Sequence, residues 1–145
     1  MKKYLLFSIL PVFLFLLSVS CDRYKNYKLD GMWQLKTVKD ANGNESQVDT
    51  VFYSFMREVI FSLTVTSDNS KSTLYPFYGY IDMPSDNKVH VLLNNISSDP
   101  DRTELFLSLS GWSSADITFD IKQYDSSNLV LFDSGTGNTF TLKKF

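Results

Sequence analysis

Short runs of alternating apolar and polar residues recur from residue 31 to residue 145. Clusters of Asn, Asp, Gly and Ser separate the runs, and period-two alternation between such clusters is typical of antiparallel strands joined by turns. In the clearest run, Val59, Phe61, Leu63 and Val65 share one face. We therefore predict an all-β fold, a small antiparallel up-and-down barrel of about eight strands. The predicted strands are 32–38, 58–66, 72–83, 88–93, 117–122, 128–132 and 139–144, and the stretch 51–57 is either extended or a further strand.

The stretch 101–110 fits two structures. Its leucines alternate as they would in a strand, whereas Leu105, Leu109 and Trp112 recur at helical spacing. We favour a short helix that ends at Gly111 and covers one end of the barrel between two strands. A further strand is the alternative.

A different pattern precedes the barrel. Residues 4–17 are almost entirely apolar, follow two lysines and lead to Ser18-Val19-Ser20-Cys21. A positive start, a short apolar core and small residues before the cleavage site are features of an export signal. The run is too short for a permanent transmembrane helix, which needs about 20 apolar residues. We predict that residues 1–20 are removed.

The end of this segment resembles the lipobox of bacterial lipoproteins, whose usual form is Leu, two small residues and Cys. Leu17 lies one place early, and Ser18 occupies the usual leucine position. The resemblance implies that Cys21 becomes the acylated N-terminal residue. Residues 21–28 would then form a lipidated tether to a domain over 29–145. We expect the protein in the cell envelope, anchored through lipid to a bacterial membrane, the outer membrane in our interpretation.

Charge and cysteine content exclude several functions. Without Lys2 and Lys3 the 14 basic residues fall to 12, against 16 acidic ones. This acidic balance argues against a nucleic-acid partner, which usually requires a clustered basic face. Cys21 is the only cysteine of the sequence, so intrachain disulfides and cysteine-cluster metal sites are excluded.

The first strand opens with Gly31-Met32-Trp33, which resembles the Gly-x-Trp motif at the start of lipocalins. In that family the tryptophan packs across the closed end of the barrel, so the resemblance implies a barrel-closing role for Gly31 and Trp33. Lipocalins often stack an arginine from the last strand on this tryptophan. Here Lys143 and Lys144 are available, and Lys144 shares a strand face with inward-facing residues.

The last segments, 128–131 and 139–145, look like the terminal hairpin of lipocalin-like lipoproteins common in Bacteroides-type gut bacteria. The resemblance covers residues 29–145 and implies a lipocalin-like barrel. It informs the fold far more than the function.

The interior of an eight-stranded barrel is either filled by side chains or just wide enough for one small ligand. Large residues at nearly every predicted inward position favour a filled core: Val59, Phe61, Leu63, Leu74, Tyr78, Tyr80, Val89, Val91, Ile117, Phe119, Ile121, Phe140 and Leu142. The alternative is an apolar pocket at the open end, with ring surface and hydroxyl donors that orient a ligand. The residues predicted to line it are Tyr75, Phe77, Tyr78, Tyr80 and Phe119.

Other candidate sites have simpler explanations. His90 is the sole histidine and is predicted to face solvent, which leaves little for a histidine-based metal site or catalytic base. Residues 40–45 have the composition of a calcium loop but not its spacing, and an Asx turn fits them better. Asp49-Thr50-Val51 resembles the short O-glycosylation sequon of exported proteins of Bacteroides-type bacteria, and an ordinary junction of turn and strand explains it equally well.

No nucleophile, base or metal cluster stands out in the sequence, so we expect a protein that is not an enzyme and has no metal or cofactor. The expected function is that of a membrane-anchored envelope lipoprotein whose barrel binds a small apolar or amphipathic molecule. The alternative is a filled barrel that serves as an interaction or structural module of an envelope protein complex.

Overall fold

The computed structural model describes residues 28–56, 60–65, 75–94 and 100–145, with the backbone alone of 60–65, 75–76 and 102. Cys21 and the predicted signal lie outside these residues. The described elements are β1 (Gly31–Lys39), β2 (Glu45–Gln47), β3 (Val51–Met56), β4 (Ile60–Val65), β5 (Tyr75–Ser85), β6 (Lys88–Leu93), α1 (Pro100–Ser110), β7 (Asp116–Tyr124), β8 (Asn128–Phe132) and β9 (Thr139–Lys144).

The strands form a ring of antiparallel pairs. From β3 to β9 each strand pairs with the next one along the chain, β1 pairs with β3, and β9 returns to pair with β1. The short strand β2 pairs with the end of β1, where Thr37 lies opposite Gln47. The predicted all-β, up-and-down architecture is therefore confirmed.

The connections fall at two ends because successive strands alternate in direction. Residues 28–30 join β1 at the end that we call the tether end, together with the turns 86–87 and 125–127 and the final residue Phe145. The opposite end, which we call the helix end, carries α1 and the turns 40–44 and 133–138.

The segment 101–110 belongs to the helix α1, as predicted, and not to a strand. The helix ends before Gly111, whose φ of +70° suits glycine and whose N–H donates to the carbonyl of Leu107. The buried face differs from the expected one. Leu105 and Leu109 are exposed, and Phe106 is buried in their place. Within the described part of the chain, no helix is long and apolar enough to cross a bilayer.

The core is apolar and rich in aromatic rings. Of the predicted inward residues, Val89, Val91, Ile117, Phe119, Phe140 and Leu142 are buried, and Ile121 packs against the core while partly exposed. The side chains of Val59, Phe61, Leu63, Leu74 and Tyr75 lie outside the described part. The buried apolar residues are Leu29, Trp33, Leu35, Val51, Tyr53, Phe55, Phe77, Ile81, Val89, Val91, Leu93, Phe106, Trp112, Ile117, Phe119, Leu129, Leu131, Phe140 and Leu142.

The predicted inward orientation of Tyr78 and Tyr80 is wrong. Tyr78 is 51% exposed and Tyr80 is 53% exposed, whereas Phe77 and Ile81 are buried. The cause is the register between β5 and β6, in which Ile81 lies opposite the buried Val91. Directly paired residues share a face of the sheet, so the odd-numbered residues of this part of β5 face the core and the tyrosines face outward.

Gly79 marks a close approach of the backbones of two neighbouring strands. A Cβ atom at Gly79 would lie 2.1 Å from the carbonyl oxygen of Leu92 on the neighbouring strand. The irregularity in this strand pair lies elsewhere, between Asp82 and Ser85. Gly79 faces inward but has no apolar side chain, so it weakens the apolar alternation along β5. The sequence pattern therefore does not show which face of β5 is buried.

Two polar predictions on the outer surface agree with the structure. The Asp40 carboxylate accepts the backbone N–H groups of Asn42 and Asn44 at 2.9 and 2.8 Å, which is the expected Asx turn. His90 lies on the outer face of β6, where its Nε2 is 2.7 Å from the carboxylate of Asp116.

Candidate functional site

The helix end of the barrel is filled by rings in edge-to-face contact. The ring of Phe106 on α1 lies 4.9 Å from that of Phe77 on β5 and 5.1 Å from that of Trp112. Trp112 in turn lies 4.8 Å from Phe119, and Phe119 lies 5.8 Å from Phe140. Tilted contacts at these separations are the favoured geometry of aromatic pairs. We call this group, with Tyr53, the aromatic cluster.

A hydrogen bond between two ring side chains lies inside the aromatic cluster. The indole N–H of Trp112 donates to the hydroxyl of Tyr53 at 2.7 Å, and both side chains are buried. Burial raises the pKa of the Tyr53 hydroxyl above its usual range, the bond from Trp112 acts in the opposite direction, and the charge of Asp133 raises the pKa further. Tyr53 is therefore a neutral phenol, and it places an oriented polar group in an apolar interior.

The aromatic cluster at the helix end is next to a residue of the tether end. Tyr53 on β3 lies directly opposite Trp33 on β1, and both point inward. A tryptophan from each end therefore lies beside the same tyrosine. Buried side chains of the described strands thus extend from one end of the barrel to the other.

A buried carboxylate secures the C-terminal side of α1. Asp133, in the turn between β8 and β9, accepts bonds of 2.7 to 3.0 Å from four donors, namely the backbone N–H and hydroxyl of Ser113, the backbone N–H of Gly135 and the hydroxyl of Thr136. In the same turn, the amide of Asn138 donates to the carbonyl of Gly111 at 3.0 Å. The segment that follows α1 is therefore fixed to the barrel wall.

The helix α1 itself is attached by few side chains. Phe106 is its one large buried side chain among those described, Ser110 is the other buried residue, and Leu105 and Leu109 face solvent. Phe106 thus docks the helix together with Leu107, which is partly buried against the core, and the bonded segment behind Gly111 holds its C-terminal end.

At the tether end, Trp33 is fully buried and its indole N–H donates to the carbonyl of Leu29 at 2.8 Å. The ammonium group of Lys144 lies 4.3 Å from the centre of the Trp33 ring, and it also donates to the carbonyl of Asp30. Gly31 makes room for this lysine. A Cβ atom there would lie 2.5 Å from the Lys144 nitrogen, and the φ of +118° is itself unfavourable for other residues.

Comparison with known proteins agrees with this architecture. A sequence model of the lipocalin-like domain matches residues 14–145. The chain belongs to the lipocalin-like domain family. A lipocalin-like protein from Bacteroides uniformis ATCC 8492 is 25% identical with a TM-score of 0.67, over 81% of this chain and 99% of that one. An uncharacterized protein from Bacteroides eggerthii DSM 20697 is 21% identical with a TM-score of 0.65, over the same shares of the two chains. No curated protein gives a significant match.

Proteins with the lipocalin-like fold are typically binding proteins, and the fold is compatible with binding of small hydrophobic molecules. Of the residues predicted to line a pocket, Phe77 and Phe119 lie in the aromatic cluster, whereas Tyr78 and Tyr80 lie on the outer wall. The side chain of Tyr75 lies outside the described part.

Sequence reasoning missed four residues of this lipocalin-like site: Tyr53, Phe106, Trp112 and Asp133. Tyr53 alternates with Val51 and Phe55, so its inward face was available from the pattern of β3. Asp133 precedes Ser-Gly-Thr, a composition typical of an Asx turn. Nothing in the sequence distinguishes Phe106 from the leucines beside it. In the described ranges, no group of three or more His, Cys, Asp or Glu side chains is arranged to hold a metal ion.

Proposed function

We propose that this lipocalin-like protein is an envelope lipoprotein, anchored through Cys21, whose barrel binds a small apolar or amphipathic molecule at the helix end. The observation that carries the proposal is the aromatic cluster beneath α1, a helix docked by the single large ring of Phe106. Ligand sites combine apolar walls with a few polar groups that fix orientation. The cluster supplies the walls, and the Tyr53–Trp112 hydrogen bond supplies the polar group.

The binding step is a movement of α1 about Gly111. Phe106 leaves its place beside Phe77 and Trp112, and a flat ring or short acyl chain takes that place. Withdrawing one phenylalanine from the core costs about 1.5–3 kcal/mol, which apolar contact with the ligand offsets. Leu105 and Leu109 are already exposed, and the other apolar burial that the movement sacrifices is that of Leu107, which is only partly buried.

The bonded segment behind α1 limits this movement. Asp133 and Asn138 hold Ser113 and Gly111 against the turn between β8 and β9. The helix therefore pivots while Trp112 keeps its place near Tyr53. The phenol hydroxyl, neutral at physiological pH, would then orient a ligand that carries one polar group.

The test replaces the docking ring. Phe106→Ala leaves a space the size of a ring, and we expect stronger fluorescence of the apolar probe N-phenyl-1-naphthylamine with the variant than with the wild type. Leu105→Ala is the matched control, because Leu105 lies next to Phe106 on α1 but is exposed. Equal probe binding by the two variants, with wild-type circular dichroism for both, contradicts a site beneath α1.

Native mass spectrometry of the lipidated protein, purified gently from its envelope, tests for the natural ligand. We expect excess mass that disappears on denaturation. A bare protein mass from repeated preparations would contradict the binding proposal and favour the filled barrel.

The second candidate function is an interaction module. The outer wall supports it, because Tyr80 lies opposite Leu92 and both are exposed, with Tyr78 on the same face of β5. Crosslinking in the envelope followed by purification tests this candidate. A partner lost specifically with Tyr80→Ser would favour it, and a monomer without crosslinked partners would contradict it.

A further inference from the structure

Apolar side chains lie on the outer wall of the barrel at the tether end. Met32 on β1 is 43% exposed, Met56 on β3 is 50% exposed, and Phe145 beyond β9 is 75% exposed. Phe52 on β3 is half-buried, and its ring meets that of Phe145 edge-on at 5.2 Å. We call these four residues the tether-end patch.

The strand pattern brings the tether-end patch together. Trp33 and Phe55 point into the core, so the residues next to them in sequence, Met32 and Met56, point outward. The backbone N–H of Phe145 donates to the carbonyl of Met32 at 2.9 Å and fixes the last residue beside β1. The patch therefore extends over neighbouring elements of one wall.

The same wall is polar nearer the helix end. Gln34 lies opposite Phe52 and donates to the carbonyl of Asp49, and Lys36 forms an ion pair with Asp49 at 2.7 Å. On this wall the exposed apolar side chains therefore lie on the residues nearest the tether end, and the polar side chains lie nearer the helix end. A contiguous exposed apolar area of this kind usually marks a contact with a partner or a membrane.

Positive charge borders the tether-end patch. Lys143, opposite Gln34 on the outer wall, donates to the amide oxygen of Asn128, whose amide nitrogen in turn donates to the carboxylate of Asp125. Lys28 is exposed where the chain enters the barrel. Lysines beside apolar side chains suit a bilayer surface, where the apolar groups enter the interface and the ammonium groups meet anionic headgroups.

The length of the predicted tether places this end of the barrel near the membrane. Residues 22–28 extend at most about 25 Å from Cys21, whereas the longest strands cover about 30 Å between the two ends. A lipid on Cys21 therefore keeps residues 28–30, and the wall beside them, close to the bilayer.

We infer that the tether-end patch is a lipid-contacting surface that rests on the membrane holding the anchor, with the helix end facing away. This inference rests on the proposed lipid anchor but not on the proposed ligand. It assigns the patch to a phospholipid bilayer that contains anionic lipid.

The test uses the lipidated mature protein in vesicles of phosphatidylethanolamine and phosphatidylglycerol. Lipidation occupies the thiol of Cys21, so a cysteine introduced on the surface is the one site for a thiol-reactive bimane label. Met56→Cys reports on the patch, and Tyr80→Cys is the matched control because the two positions have similar exposure, 50% and 53%. We expect bimane at position 56 to shift to the blue on reconstitution and to be quenched by nitroxide-labelled lipid, with neither change at position 80.

The possible results distinguish failure of the lipid-contacting surface from failure of the proposed lipid anchor. Equal shifts and equal quenching at the two positions, with the lipid on Cys21 verified by mass spectrometry, overturn the lipid-contacting surface and leave the anchor intact. A mature N-terminus without lipid overturns the anchor and the inference together. Neither result changes the expected probe binding of Phe106→Ala at the helix end.

Discussion

The two ends of this barrel are closed in different ways. At the tether end, Trp33 bonds to Leu29 four residues earlier and lies beneath Lys144 of the paired strand β9. At the helix end, Phe106 and Trp112 come from the segment inserted between β6 and β7, outside the ladder of strand pairs. The residues of the first closure lie in paired strands or just before them. Those of the second lie outside the ladder, so the proposed movement of α1 would leave every strand pair intact.

Trp33→Ala should produce the largest effect. Removal of a fully buried tryptophan from the tether end should lower the free energy of unfolding by about 3–5 kcal/mol. Urea unfolding measures this loss, and Met32→Ala, the outward neighbour, is the control. A similar small loss for both variants would show that the tether end does not depend on its tryptophan.

Tyr53→Phe should have the next largest effect, at the helix end. It removes the acceptor of the Trp112 indole bond and should cost about 1–3 kcal/mol of stability. The raised pKa of Tyr53 also makes stability depend on pH. The folded protein keeps the phenol protonated where the unfolded chain ionises, so the contribution is full below about pH 10 and is lost as the pH rises through the folded pKa.

Unfolding free energies between about pH 9 and 11 test the alkaline part of this prediction. Tyr53→Phe should lose the alkaline decline in stability, whereas Tyr80→Phe, at an exposed position, should keep it. An identical decline in both variants would mean that another group causes it.

Lys144→Gln should have a smaller effect at the tether end. Its ammonium group lies over the Trp33 ring, and a cation–π contact of an exposed lysine contributes about 0.5–1 kcal/mol. Lys143→Gln is the control, because Lys143 is on the outer face of the same strand and bonds to Asn128. Equal midpoints of urea unfolding for the two variants would argue against the ring contact.

The smallest effect concerns the turn 125–127, also at the tether end. Hydrogen bonds from the backbone N–H of Ser127 and the side chain of Asn128 lower the pKa of Asp125 to about 2. A lowered pKa means that the stabilisation is present above about pH 4 and is lost as the pH falls toward the folded pKa. Asp125→Asn should flatten the acid decline in stability, and an unchanged slope would contradict the role of this carboxylate.

Most of the fold could be predicted because turns and alternation were clear. The strands 88–93, 128–132 and 139–144 have the bounds that the pattern indicated. The strand β2 could not be found, since its three residues are all exposed and show no apolar alternation. The face of β5 was predicted wrongly because aromatic residues occur on both faces, and only the register with β6 decides between them.

The candidate site was harder to predict because its parts are far apart in the sequence. Tyr53 and Trp112 form their bond across 59 positions. The face of α1 that turns inward depends on which ring fits beside Phe77, and spacing alone favoured the leucines. Phe119 was found because it lies on β7, where alternation carries the information, whereas Phe77 lies on the face of β5 opposite to the predicted inward face.

The placement of one tryptophan at each end gives the protein two intrinsic optical reporters. The indole of Trp33 bonds to a backbone carbonyl, and that of Trp112 bonds to the phenol of Tyr53 in the cluster beneath α1. Withdrawal of Phe106 would change the emission of Trp112 and leave that of Trp33 alone, whereas unfolding of the barrel changes both. The spectrum of the unlabelled protein therefore separates opening of the helix end from loss of the fold.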